Sequence, residues 1–128
     1  MVRTIRILVA LALLVGASAV FAEGRLQAIK DRGELRCGVN SSLAGFGVPD
    51  AQGNYQGFDI DFCKAIAAAV FGDASKVVYR PLTAGERPTA LQSGEIDVLI
   101  RNTTRTSSRD TDWGANFAPT TYYDGQGF

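Results

Sequence analysis

The segment Ile96-Asp-Val-Leu-Ile100 constrains the fold more than any other part of this chain. It is short, nearly continuous in apolar residues, and preceded by Gly94. A strand with one wet face alternates apolar and polar positions, whereas a strand covered on both faces reads as an unbroken apolar run. The second pattern belongs to a parallel sheet lying between helices.

Helical and strand signals alternate upstream of it. Leu26 and Ile29 mark a short helix that Gly33 ends, and Leu35-Arg-Cys-Gly-Val39 reads as a first strand. Residues 40–56 are rich in Gly, Ser, Asn, Asp and Pro, so they read as a loop with a tight hairpin at 50–55. Phe58, Phe62, Ile66 and Val70 recur at helical spacing. Ala65, Ala67 and Ala68 fill in good helix formers, and Gly72 is the expected stop. Asp59 and Asp61 stand at the start of that helix, where carboxylates cap free N–H groups. Lys76-Val-Val-Tyr79 reads as a second strand. Thr83-Ala-Gly-Glu86 has the spacing of a capping box that opens a second helix, continued by Ala90 and Leu91 and closed by Gly94. Pro88 then falls about five positions into that helix, at a cost of up to about 3 kcal/mol.

Strand–helix–strand–helix–strand with right-handed crossovers gives an α/β fold, a small doubly wound and mostly parallel sheet. Ligands of such sheets bind outside the carboxyl ends of the strands, where the strand order reverses. The third strand end carries Arg101-Asn-Thr-Thr-Arg-Thr-Ser-Ser-Arg109. Asn102, Thr103 and Thr104 offer short donors, and Arg109 offers a planar fork that matches the two oxygens of a carboxylate. The plainer reading of the same residues is a polar surface loop with a solvated arginine. For Asp59 and Asp61, capping is a simpler account than a catalytic carboxylate pair.

Composition narrows the chemistry. Arg3 and Arg6 precede a largely apolar stretch from Ile7 to Phe21 that has no acidic residue before Glu23. It is shorter than the roughly 20 apolar residues a membrane-spanning helix needs. Its end fits the small-x-small pattern of signal-peptide cleavage, with the cut after Ala22. Residues 1–22 are therefore expected to be an export signal and residues 23–128 the domain. Without the leader the chain keeps 11 basic and 13 acidic residues. A weakly acidic domain with no basic run is a poor partner for nucleic acid. The chain has no histidine, which removes most zinc and general-base arrangements, and no metal or cofactor is expected. Cys37 and Cys63 fit neither a redox pair in CxxC spacing nor a four-ligand metal site. They are either a disulfide or two separately buried thiols. Export to an oxidising compartment and packing between their elements favour the disulfide.

Several motifs occur together in one order. Gly57-Phe-Asp-Ile-Asp61, Leu91-Gln-Ser-Gly-Glu-Ile-Asp97 and Tyr122-Tyr-Asp-Gly-Gln126 resemble the polar amino-acid-binding proteins of bacterial ABC importers, solute-binding family 3. Cys37-Gly-Val-Asn40, Phe71-Gly-Asp73, Pro81-Leu-Thr-Ala84 and Arg101-Asn-Thr-Thr104 are similar to the general L-amino-acid-binding subgroup. The resemblance spans about residues 26–128. It implies the first lobe of a two-lobed periplasmic fold, an L-amino acid as ligand, and an importer permease in the membrane as partner. Arg109 matches the arginine that holds the ligand α-carboxylate. Asn102 and Thr104 match positions that bind the carboxylate and amino group, and Asn40 and Leu43 match the loop lying over the ligand. The chain departs from the subgroup at Arg105, which usually is tryptophan, and at Pro88, which usually is phenylalanine. Family members run on past the position of Phe128 into a second lobe, which holds the acidic partner of the ligand amino group. The expectation is thus an incomplete binding protein whose lone lobe binds amino acids very weakly or not at all. A non-functional remnant, or an enzyme on the same fold such as a cyclohexadienyl dehydratase, are the competing readings.

Overall fold

The computed structural model describes residues 17–125 and 127, with side chains from residue 24 onward. The elements are α1 (Ala17–Arg32), β1 (Leu35–Val39), β2 (Val48–Pro49), β3 (Tyr55–Gln56), α2 (Phe58–Phe71), β4 (Val77–Pro81), α3 (Arg87–Ser93), β5 (Val98–Leu99) and α4 (Ser107–Asp112). Most of the expected leader lies outside the described residues, and its end, residues 17–22, forms the start of α1. No helix among the described residues is long and apolar enough to cross a membrane. The first helix was expected near Leu26 and begins earlier, while Gly33 ends it as anticipated, with φ 78° and its N–H on the carbonyls of Ile29 and Lys30.

β4, β1 and β5 form a parallel sheet in that order, with β1 in the centre. Leu35 pairs with Val77 and Val39 with Pro81 on one side, and Cys37 pairs with Val98 on the other. The ladder extends past the short β5, since Asp97 N–H donates to Arg36 O and Ile100 N–H to Gly38 O, each at 2.9 Å. The chain moves from β1 to β4 on one side and returns to β5 on the other. The order therefore reverses between β1 and β5, and the ends of those strands are the place for a ligand.

One face of β1 presents Leu35, Cys37 and Val39, all fully buried. Cys37 and Val39 pack with Ile60 and Cys63 of α2, and Cys37 is joined to Cys63 by a disulfide with Cα atoms 6.1 Å apart. The other face is held open for close packing by Gly38, where a Cβ would come within 2.7 Å of the Ile96 side chain. Both faces of the central strand β1 are thus covered, whereas β5, the strand of the apolar run 96–100, stands at the edge of this sheet with Val98 and Leu99 only half-buried. Each fully buried leucine or isoleucine here contributes about 1.5–3 kcal/mol.

The buried stripe of α2 is not the one formed by Phe58, Phe62 and Ile66. Asp59, Ile60, Cys63 and Ala67 face the core, while Phe58 is 38% exposed. The small side chains of Cys63 and Ala67 let α2 approach β1, and the phenylalanines turn to the flank. There Phe46, Phe58, Phe62 and Tyr122 meet edge to face with centroids 5.0–6.1 Å apart, a geometry aromatic rings favour.

The capping expectation for Asp59 and Asp61 is corrected by the same rotation. Neither side chain caps α2; its N-cap is Gly57. Carbonyls of the preceding loop do that work: Phe58 N–H donates to Gly45 O at 2.9 Å and Asp59 N–H to Phe46 O at 3.0 Å. Asp61 instead pairs with Lys64 at 3.2 Å. Pro88 is also corrected. Residues 84–86 form a turn and α3 starts at Arg87, so Pro88 occupies the first turn, where its missing N–H has no helical partner to lose. The Glu86 carboxylate still closes on Thr83, accepting from its N–H at 2.6 Å and its Oγ1 at 2.7 Å.

Candidate functional site

Three arginines converge on three consecutive residues just past β5. Arg87 Nη1 donates to Asn102 O at 3.3 Å and to Thr103 Oγ1 at 3.2 Å. Arg101 places Nε and Nη2 on Asn102 Oδ1 at 3.3 and 3.2 Å, and its Nη1 on Leu82 O. Arg109 Nη1 donates to Thr104 O at 2.7 Å, and its guanidinium lies 5.5 Å from the Trp113 ring centroid, within cation–π range. Local sequence explains how Arg109 is set. Thr106 is the N-cap of α4 and its Oγ1 accepts from Arg109 N–H at 3.2 Å, so the arginine emerges from the first turn facing back toward Thr104.

None of these three arginines has a carboxylate within salt-bridge distance among the described residues, whereas Arg32, Arg36, Lys64, Arg80 and Arg105 each do. Burial lowers the pKa of Arg87, and the positive charges of Arg101 and Arg109 lower it further. Arg87 is only 7% exposed and its Nε has no hydrogen-bond partner among the described residues. Asp59, 4% exposed and with no partner on Oδ2 among the described residues, lies close enough to Arg101 for their charges to interact. Burial raises its pKa and the nearby Arg101 works against that rise.

A groove of about 260 Å³ opens beside this cluster, between the ends of β1, β4 and β5. Asn40, Ser41, Ser42, Thr83, Glu86 and Arg101 line much of it, so one carboxylate and one guanidinium both face the groove. The volume is slightly below the roughly 300–1,000 Å³ usual for small-molecule sites. Asn40 ties the two strand ends at the reversal point. Its Nδ2 donates to Asn102 Oδ1 at 3.1 Å, and its Oδ1 accepts from the N–H and Oγ of Ser42, each at 3.0 Å.

The structure thus brings Asn40 and Asn102 together at the groove, and Thr104 and Arg109 together beyond it. Arg109 does not line the groove. Leu43 stands apart as well, in a turn where its carbonyl accepts from Phe46 N–H and Gly47 N–H. Arg87 and Arg101 were not named as site residues from the sequence, and Asp59 was read there as a helix cap. A signal existed for two of them: Asp59, Cys63 and Ala67 follow at intervals of four, and Arg87 precedes Ala90 by three, so each charge lies on a core-facing stripe.

The unpartnered carboxylate gives a pH-dependent expectation. Because Asp59 has a folded pKa above the ordinary 3.8, the folded state holds its proton longer, and stability falls as pH rises through that window. Asp59→Asn removes this dependence. Its melting temperature relative to the wild type should therefore be higher at pH 7 than at pH 4, and scanning calorimetry at both values checks it. A difference that shrinks with pH contradicts the burial effect.

The comparisons with known proteins agree on one family. The model for bacterial extracellular solute-binding proteins, family 3, matches residues 35–128. The general L-amino acid-binding periplasmic protein of Rhizobium johnstonii is 64% identical over 116 residues, covering 91% of this chain and 34% of that protein. The chain thus spans about a third of the length of this relative. A solved periplasmic binding protein from Brucella ovis with glutathione bound aligns at a TM-score of 0.76 and 58% identity, over 78% of this chain and 31% of that one. The arginine-bound form of domain 1 from TmArgBP aligns at 0.59 and 32% identity, over 66% of this chain and 64% of that one. An ancestral cyclohexadienyl dehydratase aligns at 0.60 and 35% identity, over 67% and 34%, so the fold alone does not separate binding from catalysis. With its parallel sheet, its order reversal at β1 and β5 and a family match over most of its length, the chain belongs to the bacterial extracellular solute-binding proteins of family 3.

Proposed function

We propose that this chain is the first lobe of a periplasmic amino-acid-binding component of an ABC importer, exported by residues 1–22 with cleavage after Ala22. The single observation carrying the reading is the convergence of Arg87, Arg101 and Arg109, none with a carboxylate partner, on residues 102–104 at the sheet's reversal point. Arg109 takes the α-carboxylate, with Asn102 and Thr104 completing its cradle. Asn40 and Leu43 belong to the loop over the ligand. The names of the relatives support an L-amino acid as ligand and a membrane permease as partner. A second lobe would supply the other wall of the cleft, and closure of two lobes on the ligand is the known mechanical repertoire of such folds.

A lone wall leaves the ligand carboxylate in contact with water, where an ion pair contributes about 0–1 kcal/mol. A solved first domain with arginine bound is a precedent for one wall holding an amino acid. That precedent narrows the expectation for this lobe from weak or absent binding to weak binding. The test is an NMR titration of the chain recovered from the periplasm of an expression host, with a panel of L-amino acids. Arg109→Ala should weaken every ligand by about fivefold. Arg109→Lys should be nearly as harmful, because lysine presents a point charge instead of a fork. Equal affinity in wild type and Arg109→Ala removes the assignment. No saturable shift with any amino acid leaves the remnant reading in its place.

A further inference from the structure

We propose that Arg87 is a positioning residue: from inside the domain it fixes residues 102 and 103, and so sets Asn102 and Thr104 for an amino acid that it does not itself touch. The inference rests on the function proposed above and adds to it a residue that acts from behind the site.

Burying Arg87 works against folding. It is 7% exposed, and no carboxylate lies within salt-bridge distance of it among the described residues. Burial lowers its pKa, and the repelling charges of Arg101 and Arg109 lower it further. Glu86, its neighbour in sequence, turns its carboxylate to Thr83 instead. A buried charge in this position has its desolvation opposed by no opposite charge. What the guanidinium does make is a pair of bonds to one strand end. Nη1 carries two N–H groups, and it donates to Asn102 O at 3.3 Å and to Thr103 Oγ1 at 3.2 Å. Neither acceptor depends on Arg87 to be satisfied. Asn102 is exposed and Thr103 half-buried, so water can serve both. The effect of the pair is orientation, not stability.

The contact falls where orientation matters. Arg87 opens α3, and the closure of Glu86 on Thr83 fixes the turn just before it. Asn102 is held by Arg87 at its carbonyl and by Asn40 and Arg101 at its Oδ1. Two residues on, Thr104 O accepts from Arg109. A shift of the 102–103 backbone therefore moves the Asn102 side chain and the support of Arg109 together. Arg87 itself does not line the groove, so its influence on a ligand passes through residues 102–104.

Two variants test this on the chain recovered from the periplasm of an expression host, by NMR titration with L-alanine and L-glutamine, which carry no net charge. Arg87→Met removes the donors and the buried charge and keeps an unbranched apolar stem. Thr103→Val removes one acceptor and keeps the shape. Arg87→Met should weaken both ligands about three- to tenfold, while its urea midpoint equals that of wild type or exceeds it. Thr103→Val should weaken both about two- to threefold, and the double variant should be no weaker than Arg87→Met, because the two act through one contact. Amide exchange should rise at residues 102–104 in both variants and stay unchanged in β1 and α2. Unchanged affinity in Arg87→Met overturns the proposal. A midpoint that falls with the affinity, or a variant that does not fold, marks a structural role and overturns it too. So does a Thr103→Val without effect or an additive double variant, which marks a charge acting through space. Those outcomes leave Arg109 and the amino-acid reading standing. The broader reading falls, and this one with it, if no amino acid produces saturable shifts in wild type.

Discussion

Replacing both Cys37 and Cys63 by alanine should lower the unfolding free energy by about 3.5 kcal/mol, the chain-entropy value for a loop of this length. The two cysteines are 26 residues apart and their closed loop contains the residue 40–47 loop, the hairpin of β2 and β3, and the first turns of α2. Alanine is the suitable replacement because both sites are fully buried and a serine would add an unpaired hydroxyl. A domain of this size has a total stability of about 5–15 kcal/mol, so the loss is a large fraction of it. Urea unfolding of the chain recovered from the periplasm of an expression host is the measurement. The midpoint should fall and the slope should rise, because an unbridged unfolded chain exposes more surface. A midpoint equal to that of the bridged protein would mean that the pair adds nothing beyond the packing of two small side chains.

Local patterns carried much of the sheet. The run Leu35–Val39 emerged with the bounds its sequence suggested, and Gly33, Gly72 and Gly94 stop helices with positive φ, as a residue without Cβ can. The second strand is Val77–Pro81, shifted from residues 76–79, and the third is shorter than its apolar run. Those ends are set by pairing with β1, which no local window contains. The same limit explains α2. Its residues 58, 62 and 66 share a spacing with 59, 63 and 67, and only the sheet decides which stripe is buried. The expected disulfide already tied Cys63 to β1, and that link carried four residues back along the helix places Asp59 on the inner stripe.

The site was legible at its rim and hidden at its centre. Asn102, Thr104 and Arg109 form one short stretch, so a hydroxyl- and amide-rich strand end with an arginine beyond it could be read directly. The arrival of Arg87 depends on α3 beginning at residue 87 rather than at Thr83. The fixing of Arg101 depends on the carbonyl of Leu82, across the sheet. Asp97 shows the same non-locality: it interrupts the apolar run, and the structure places its buried carboxylate against Arg32 and the N–H of Arg36.

Gly57→Ala should be among the most damaging single substitutions in the domain, costing about 4 kcal/mol from backbone strain and overpacking together. Gly57 has φ 131° and ψ 174°, a region that side-chain-bearing residues avoid. A Cβ there would also lie 2.5 Å from both the carbonyl carbon and oxygen of Phe46, and 3.0 Å from Gly45 O. These are backbone atoms, and the two carbonyls are the ones that accept from the first N–H groups of α2. Relief of the clash therefore requires moving the loop off the helix it caps. That loop begins at Asn40, which ties the β1 end to Asn102, so the damage should reach the candidate site as well as stability. Gly85→Ala is the control, because nothing lies within 4 Å of the added carbon and its φ is not in the left-handed region. Gly53→Ala separates the two causes, having φ 86° with open space around it, and should cost about 1 kcal/mol from strain alone. Chemical denaturation of the three variants should rank them 57, 53, 85 in order of loss. Equal losses at 57 and 53 would show that the loop yields freely to the methyl group and does not hold the helix start in place.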